Sequence, residues 1–352
     1  MKKEENRPLQ AENPTVEPLD KPKKKWWLIP LIVLLVLGVL AGTVAVLLDT
    51  VPDAVIEENV QPEEPLQEEE VEVTPDLPPV AEVHNIALFG IDQASGSVGR
   101  SDAILILSID RANNKIKLTS FDRDSLVAID GHGEEKLTHA WAYGHGKLAV
   151  KTLNQNFGMN ITDYAYVNFN EFAEAIDHLG GVYVDVTAAE QKPMNQAWQE
   201  WVVRYGWDTP KVEQTGRVLL NGGQALTYSR NRSDGSGRRA ARQREVLLAM
   251  ADRVKAQPMS QLPSTLSRLL KLCHTNMSGD EIADLAKWVL TKNPTVETLS
   301  LPTSELKPWG GVIDTARGWV RVYDLKAATV LLHNFIYETD DPIQEVITTK
   351  KK

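Results

Sequence analysis

Ile104-Leu105-Ile106-Leu107-Ser108-Ile109-Asp110-Arg111-Ala112-Asn113-Asn114-Lys115-Ile116-Lys117-Leu118-Thr119-Ser120-Phe121 sets two short apolar runs on either side of a polar turn. Ile104–Ile109 and Ile116–Phe121 read as strands, and Arg111-Ala112-Asn113-Asn114 joins them as an antiparallel hairpin. In such a ladder the residues just before one strand and just after the other share a sheet edge. With the turn centred on Asn113 and Asn114, Asp102 is expected to face Arg123.

Working outward, Asn85–Phe89 is a further strand. Gly90-Ile91-Asp92 then leads through a Gly/Ser loop to Arg100-Ser101-Asp102, back at the same edge. Beyond the hairpin, helix and strand alternate, as in an α/β layer architecture. Lys147–Phe157 is a helix, Tyr164–Phe169 a strand, Glu171–Leu179 a helix stopped by Gly180-Gly181, and Val182–Val186 a strand. Asn221–Tyr228 and about Arg239–Ala256 are helical, and Ser278 with Glu281 forms a capping box. Val296–Leu301 is a strand and Leu325–Tyr337 a closing helix. The tryptophan-rich stretch 188–214 reads either as an amphipathic insertion near a binding groove or as a surface helix on the core.

The 352-residue chain, 42% hydrophobic, divides into five parts. Trp26–Leu48 carries no charge and, at ~1.5 Å per residue, is long enough to cross a hydrocarbon core of about 30 Å as a helix. Lys21, Lys23, Lys24 and Lys25 precede it, so residues 1–25 form a cytoplasmic tail and the remainder lies outside. Residues 49–82 are acidic, without Lys or Arg, and read as a solvated spacer. They account for nearly all of the net charge of −10, leaving the domain at 83–340 close to neutral ahead of a short tail at 341–352. Cys273 is alone, which excludes an internal disulfide, and its apolar surroundings mark a buried structural thiol.

Arg230, Arg232, Arg238, Arg239, Arg242 and Arg244 crowd one short segment. Arg239, Arg242 and Gln243 share a helical face on which like charges repel, so an anion is expected there. Nucleic acid is disfavoured: the domain is near neutral, aromatics are not interleaved, and the topology places the segment outside the cytoplasm. Asp92, Asp102 and Asp124 converge with Arg100 and Arg123. Carboxylates beside arginine-held phosphates suit Mg²⁺, which takes one or two carboxylates plus substrate oxygens. His139 and His145 do not form a zinc spacing.

Six stretches together resemble the LytR-CpsA-Psr family. These are Asn85 to Asp92, Arg100-Ser101-Asp102, Ser120 to Asp124, Lys136 to Gly144, Leu220 to Arg232 and Arg239 to Arg244, in the family's order. The resemblance covers roughly residues 83–255. It implies a three-layer α/β/α sandwich around a mixed sheet, with a hydrophobic pocket for a polyprenyl chain. It also implies Mg²⁺-dependent transfer of wall teichoic acid, capsule or a similar polymer from a lipid pyrophosphate to peptidoglycan. By motif, Asp92 and Asp102 look like metal or base residues, with Arg100 beside them in the catalytic group. Arg100, Arg123, Arg230, Arg232, Arg239, Arg242 and Gln243 look like pyrophosphate ligands. The family often has Pro or Met where Asp122 stands, which leaves open a metal contact or weakened phosphate binding there. A non-catalytic polymer-binding module, a polyprenyl-pyrophosphate hydrolase and a membrane-bound regulator are the rival readings. The last is hard to fit into a cytoplasmic part of some 25 residues.

Overall fold

The computed structural model describes residues 61–339, apart from 74–82, 94–97, 207–208, 232–241, 307–309, 315–316 and several positions within 244–259. The expected span at 26–48 and both tails fall outside these. Among the described residues no helix is long and apolar enough to cross a membrane.

A seven-stranded mixed sheet forms the centre. Its order is β1 (Gln61–Pro62), β10 (His274–Thr275), β7 (Asp163–Asn168), β2 (Val83–Asp92), β3 (Arg100–Asp110), β4 (Lys115–Phe121) and β11 (Thr295–Leu301). Alternation along β2 and β3 sends Ala87, Phe89, Ile104 and Ile106 to one face and Ile86, Leu88, Leu107 and Ile109 to the other. The first face packs on α2 (Leu137–Phe157) and α8 (Leu325–Tyr337). The second packs on α7 (Gly279–Lys292), whose Ser278/Glu281 capping box is present as expected. A third apolar cluster joins α3 (Phe169–His178), α4 (Ala188–Tyr205) and α5 (Gly222–Arg230) to a separate hairpin, β8 (Val182–Val186) with β9 (Gly216–Leu220).

Several expectations need correction. The hairpin turn spans Arg111–Asn114, with Asp110 paired to Lys115, so its centre is one residue earlier than expected. Asp110 fixes it by accepting from Asn113 N (2.9 Å) and Asn113 Nδ2 (2.9 Å). This register, continued to the sheet edge, is what sets Asp102 against Arg123. The second helix begins ten residues early, at Leu137, and breaks at Gly144 and His145, the latter with φ 51°. The strand Val182–Val186 is present with the expected bounds, in the separate hairpin with β9.

The acidic stretch 49–82 is not wholly a spacer. Within it, β1 adds to the sheet edge and α1 (Glu68–Val71) buries Val71 completely. Its carboxylates find cations on α2: Glu70 meets Lys147 at 2.5 Å and Glu72 meets Lys151 at 2.8 Å. Cys273 is buried as expected; burial, with Glu171 nearby, pushes its thiol pKa up to about 12, far from a nucleophile.

Candidate functional site

The site grows from the C-terminal end of β2 and the start of β3. Gly90 pairs with Ala103 but Ile91 pairs with Ser101, so Asp102 is one extra residue in the ladder, a bulge that re-aims its side chain. A Cβ at Gly90 would stand 3.1 Å from that of Ala103, so this closely paired point favours glycine. Arg123 follows β4. The first amides of α2, which have no helical acceptor, hold its turn: Thr138 N donates to Arg123 O (3.0 Å) and Leu137 N to Ser125 O (2.9 Å). Thr138 Oγ1 also donates to Ser101 O (2.8 Å), tying β3 to the same helix end.

Arg230 arrives from the last turn of α5, more than a hundred residues later. Asn221 caps that helix, and Gly222 lets it approach α3 so closely that a Cβ would lie 2.0 Å from Ala173 O. The guanidinium sits 4.3 Å above the Phe169 ring at the start of α3. From there Nη2 reaches Asp92 Oδ2 (3.1 Å) and Nη1 reaches Asp102 Oδ2 (3.2 Å). Asp102 is also bonded by Arg123, Arg123 Nε lies 3.5 Å from Asp124, and Lys136 Nζ lies 3.6 Å from Asp124.

The result is a row of alternating charge: Asp92, Arg230, Asp102, Arg123, Asp124, Lys136. Three carboxylates balance three cations in a sheltered row where Asp102 is 8% exposed. Burial opposes the Arg123 charge, but Asp102 and then Asp124 outweigh it and hold its pKa above the usual arginine value. Arg123 Nε is buried and has no hydrogen bond of good geometry, its contact with Asp124 being ionic only. Such a donor is costly to leave unmade and suits an incoming acceptor. Two carboxylates sharing one guanidinium could instead hold a divalent cation whose remaining ligands are phosphate oxygens and water. Among the described residues no three His, Cys, Asp or Glu side chains form a metal group, so such a site fits only with the substrate completing it.

The expected ligands divide. Asp92, Asp102, Arg123 and Arg230 come together as a contact network. Arg100 pairs with Asp92 in the β2–β3 register and is exposed. Arg232 and Arg239 lie outside the described residues, and Gln243 is half-buried.

Arg242 is a correction: it is 1% exposed, with Nε on Glu190 Oε1 (2.9 Å) and Nη1 on Asn231 O (2.7 Å). It anchors α4 against the chain leaving α5, a structural task that the arginine count concealed. Asp122 is engaged within the chain on both oxygens. Its Oδ1 caps Asp124 N (3.0 Å) and its Oδ2 accepts from Arg321 Nε (3.1 Å). Sequence reasoning missed Lys136, Phe169 and Glu190 as participants; Lys136 heads one of the six motif stretches and was the easiest to find.

A mixed-sheet α/β domain with an arginine–aspartate row at one sheet edge defines the class. The chain belongs to the LytR_cpsA_psr family, whose profile matches residues 53–327. The teichoic acid transferase TagT of Bacillus subtilis ("polyisoprenyl-teichoic acid–peptidoglycan teichoic acid transferase") is 30% identical over 69% of this chain and 75% of its own. TagU of Oceanobacillus iheyensis, named for the same transfer, is 30% identical over 65% of this chain and 68% of its own. A structure of TagT with bound octaprenyl pyrophosphate superposes with a TM-score of 0.55 at 25% identity, over 79% of this chain and 99% of that one.

Proposed function

We propose that this chain transfers a polyprenyl-pyrophosphate-linked anionic glycopolymer, wall teichoic acid, capsule or similar, onto peptidoglycan and releases polyprenyl phosphate. The observation that carries it is the alternating row from Asp92 to Lys136, in which Arg123 and Arg230 arrive from distant parts of the chain to meet two carboxylates. Family membership and the transferase relatives agree with it.

The chemistry follows from charge. The row itself is neutral, so the charge of a bound pyrophosphate must be met by groups added to it. Mg²⁺ held by Asp92 and Asp102 would be one of them and would stabilise charge on the leaving phosphate. Arg230, released from those carboxylates, and Arg123 then hold phosphate oxygens with fork geometry that matches them. An acceptor sugar hydroxyl attacks the sugar-linked phosphorus in line. One P–O bond forms to the acceptor, the bridging P–O bond breaks, and the electron pair leaves on polyprenyl phosphate. Asp92 or Asp102 takes the hydroxyl proton. Arg100, exposed at the edge, joins the phosphate ligands, as do Arg232, Arg239 and Gln243.

The same reading makes the chain a single-pass membrane protein with the helix at 26–48, the N-terminus in the cytoplasm and this domain outside, where lipid-linked donor and wall meet. The test is to incubate the purified protein with Mg²⁺, lipid-linked donor and peptidoglycan oligomers and to identify products by mass spectrometry. Polymer joined through phosphate to peptidoglycan is expected. Free polymer phosphate as the sole product would make the chain a hydrolase, and intact donor would leave only binding.

A further inference from the structure

The loop that presents Arg123 is gripped from behind by a part of the chain that the transfer chemistry does not use. This is the hairpin β12 (Gly310–Asp314) with β13 (Gly318–Val322). Arg321 Nε donates to Asp122 Oδ2 (3.1 Å), while Arg321 N donates to Asp124 O (2.8 Å). The second oxygen of Asp122 accepts from Asp124 N (3.0 Å), and Ser125 N donates to Asp122 O (3.0 Å). Just beyond the strand, Tyr323 donates to Ser125 Oγ (3.0 Å). Residues on both sides of Arg123 are therefore tied to β13 or its extension, directly or through Asp122. The Arg321 guanidinium is itself fixed, lying 4.6 Å from the centre of the Trp319 ring, and its side chain is only 12% exposed.

We propose that Arg321 is a positioning residue for pyrophosphate binding: by holding Asp122 it sets the turn from which Arg123 reaches the phosphates. The inference rests on the transferase reading of the site. Its physical content is a competition. Asp122 and Arg123 are adjacent, and a carboxylate without Arg321 is free to turn toward the Arg123 guanidinium or toward the entering phosphate. The first outcome uses up a ligand and the second repels the substrate. Arg321 prevents both while its main-chain amide keeps the turn in place.

The test compares the purified full chain with Arg321→Gln, Asp122→Asn, Asp122→Arg and the exchanged pair Asp122→Arg/Arg321→Asp. Two readouts are used: binding of inorganic pyrophosphate with Mg²⁺ by calorimetry, and KM and kcat with a lipid-linked donor. Arg321→Gln should weaken pyrophosphate binding and raise KM by about tenfold, the scale of one charge-assisted hydrogen bond, and change kcat much less. Asp122→Asn keeps the cap on Asp124 and removes the competing charge, so it should bind within about threefold of wild type. The exchanged pair should recover part of the loss. Arg317→Gln serves as the control for general loosening, because Arg317 docks the same hairpin elsewhere, on Glu134 O at 2.6 Å.

Wild-type affinity in Arg321→Gln, or an equal loss in Arg317→Gln, overturns the proposal. Should Arg321→Gln not fold, the exchanged pair decides: a folded exchange with no recovery over Asp122→Arg alone is equally fatal. Wild-type protein that neither binds pyrophosphate nor transfers polymer would instead remove the transferase reading itself.

Discussion

The two ends of the β3–β4 hairpin carry charge in opposite ways. At the turn end, Lys117 is fully buried: its Nζ donates to Ile336 O (2.7 Å) at the end of α8 and lies 3.7 Å from Asp110 and 3.1 Å from Glu338. A helix C-terminus, where carbonyls lack partners and the dipole is negative, closes that end. At the other end Asp102 and Arg123 meet beside the first turn of α2, and a buried Arg123 nitrogen keeps only an ionic contact. One hairpin thus supports a satisfied charge cluster that holds the fold and a partly satisfied one that suits a ligand.

The contrast can be broken at either end. The largest effect is expected from Lys117→Met, which leaves buried Asp110 without its cation and should cost about 3–5 kcal/mol in a denaturant titration, with activity per folded molecule unchanged. Arg123→Ala should do the reverse, lowering kcat/KM for polymer transfer by ~10²–10³-fold while the denaturation midpoint stays near wild type.

Glu190→Gln comes next. Burial raises the Glu190 carboxyl pKa, but hydrogen bonds from Thr187 and Arg242 outweigh it, and the net value falls below the ordinary 4.5. A depressed pKa stabilises the fold above the unfolded value and is lost as pH falls through the folded one. The variant should therefore be about 2 kcal/mol less stable at pH 7, with the gap closing below pH 4.5. Smallest is Lys151→Ala, which breaks bridges to exposed Glu72 and Asp130 and should change stability by less than about 1 kcal/mol.

The same contrast explains what the sequence made legible. Strands β2, β3, β4, β7 and β11 alternate or run apolar over five or more residues, so periodicity finds them, and the hairpin's polar turn, although its centre lies one residue earlier than expected, brings Asp102 and Arg123 to the same sheet edge. Motif order adds Arg230. Periodicity is silent on a two-residue strand such as Gln61–Pro62, and on an acidic helix whose partners Lys147 and Lys151 lie about eighty residues away. Arginine clustering is equally blind to purpose. Arg230 and Arg242 look alike in sequence, yet one joins the charge row and the other is captured by Glu190, a residue 52 positions earlier that no local pattern connects to it.

The supernumerary residue at Asp102 has an evolutionary corollary. Loss of a single codon there would give β2 and β3 an uninterrupted ladder, but would take from Arg123 and Arg230 the carboxylate they share. The surviving carboxylate geometry would vanish with it. A regular ladder and the alternating charge row therefore exclude each other at that one position.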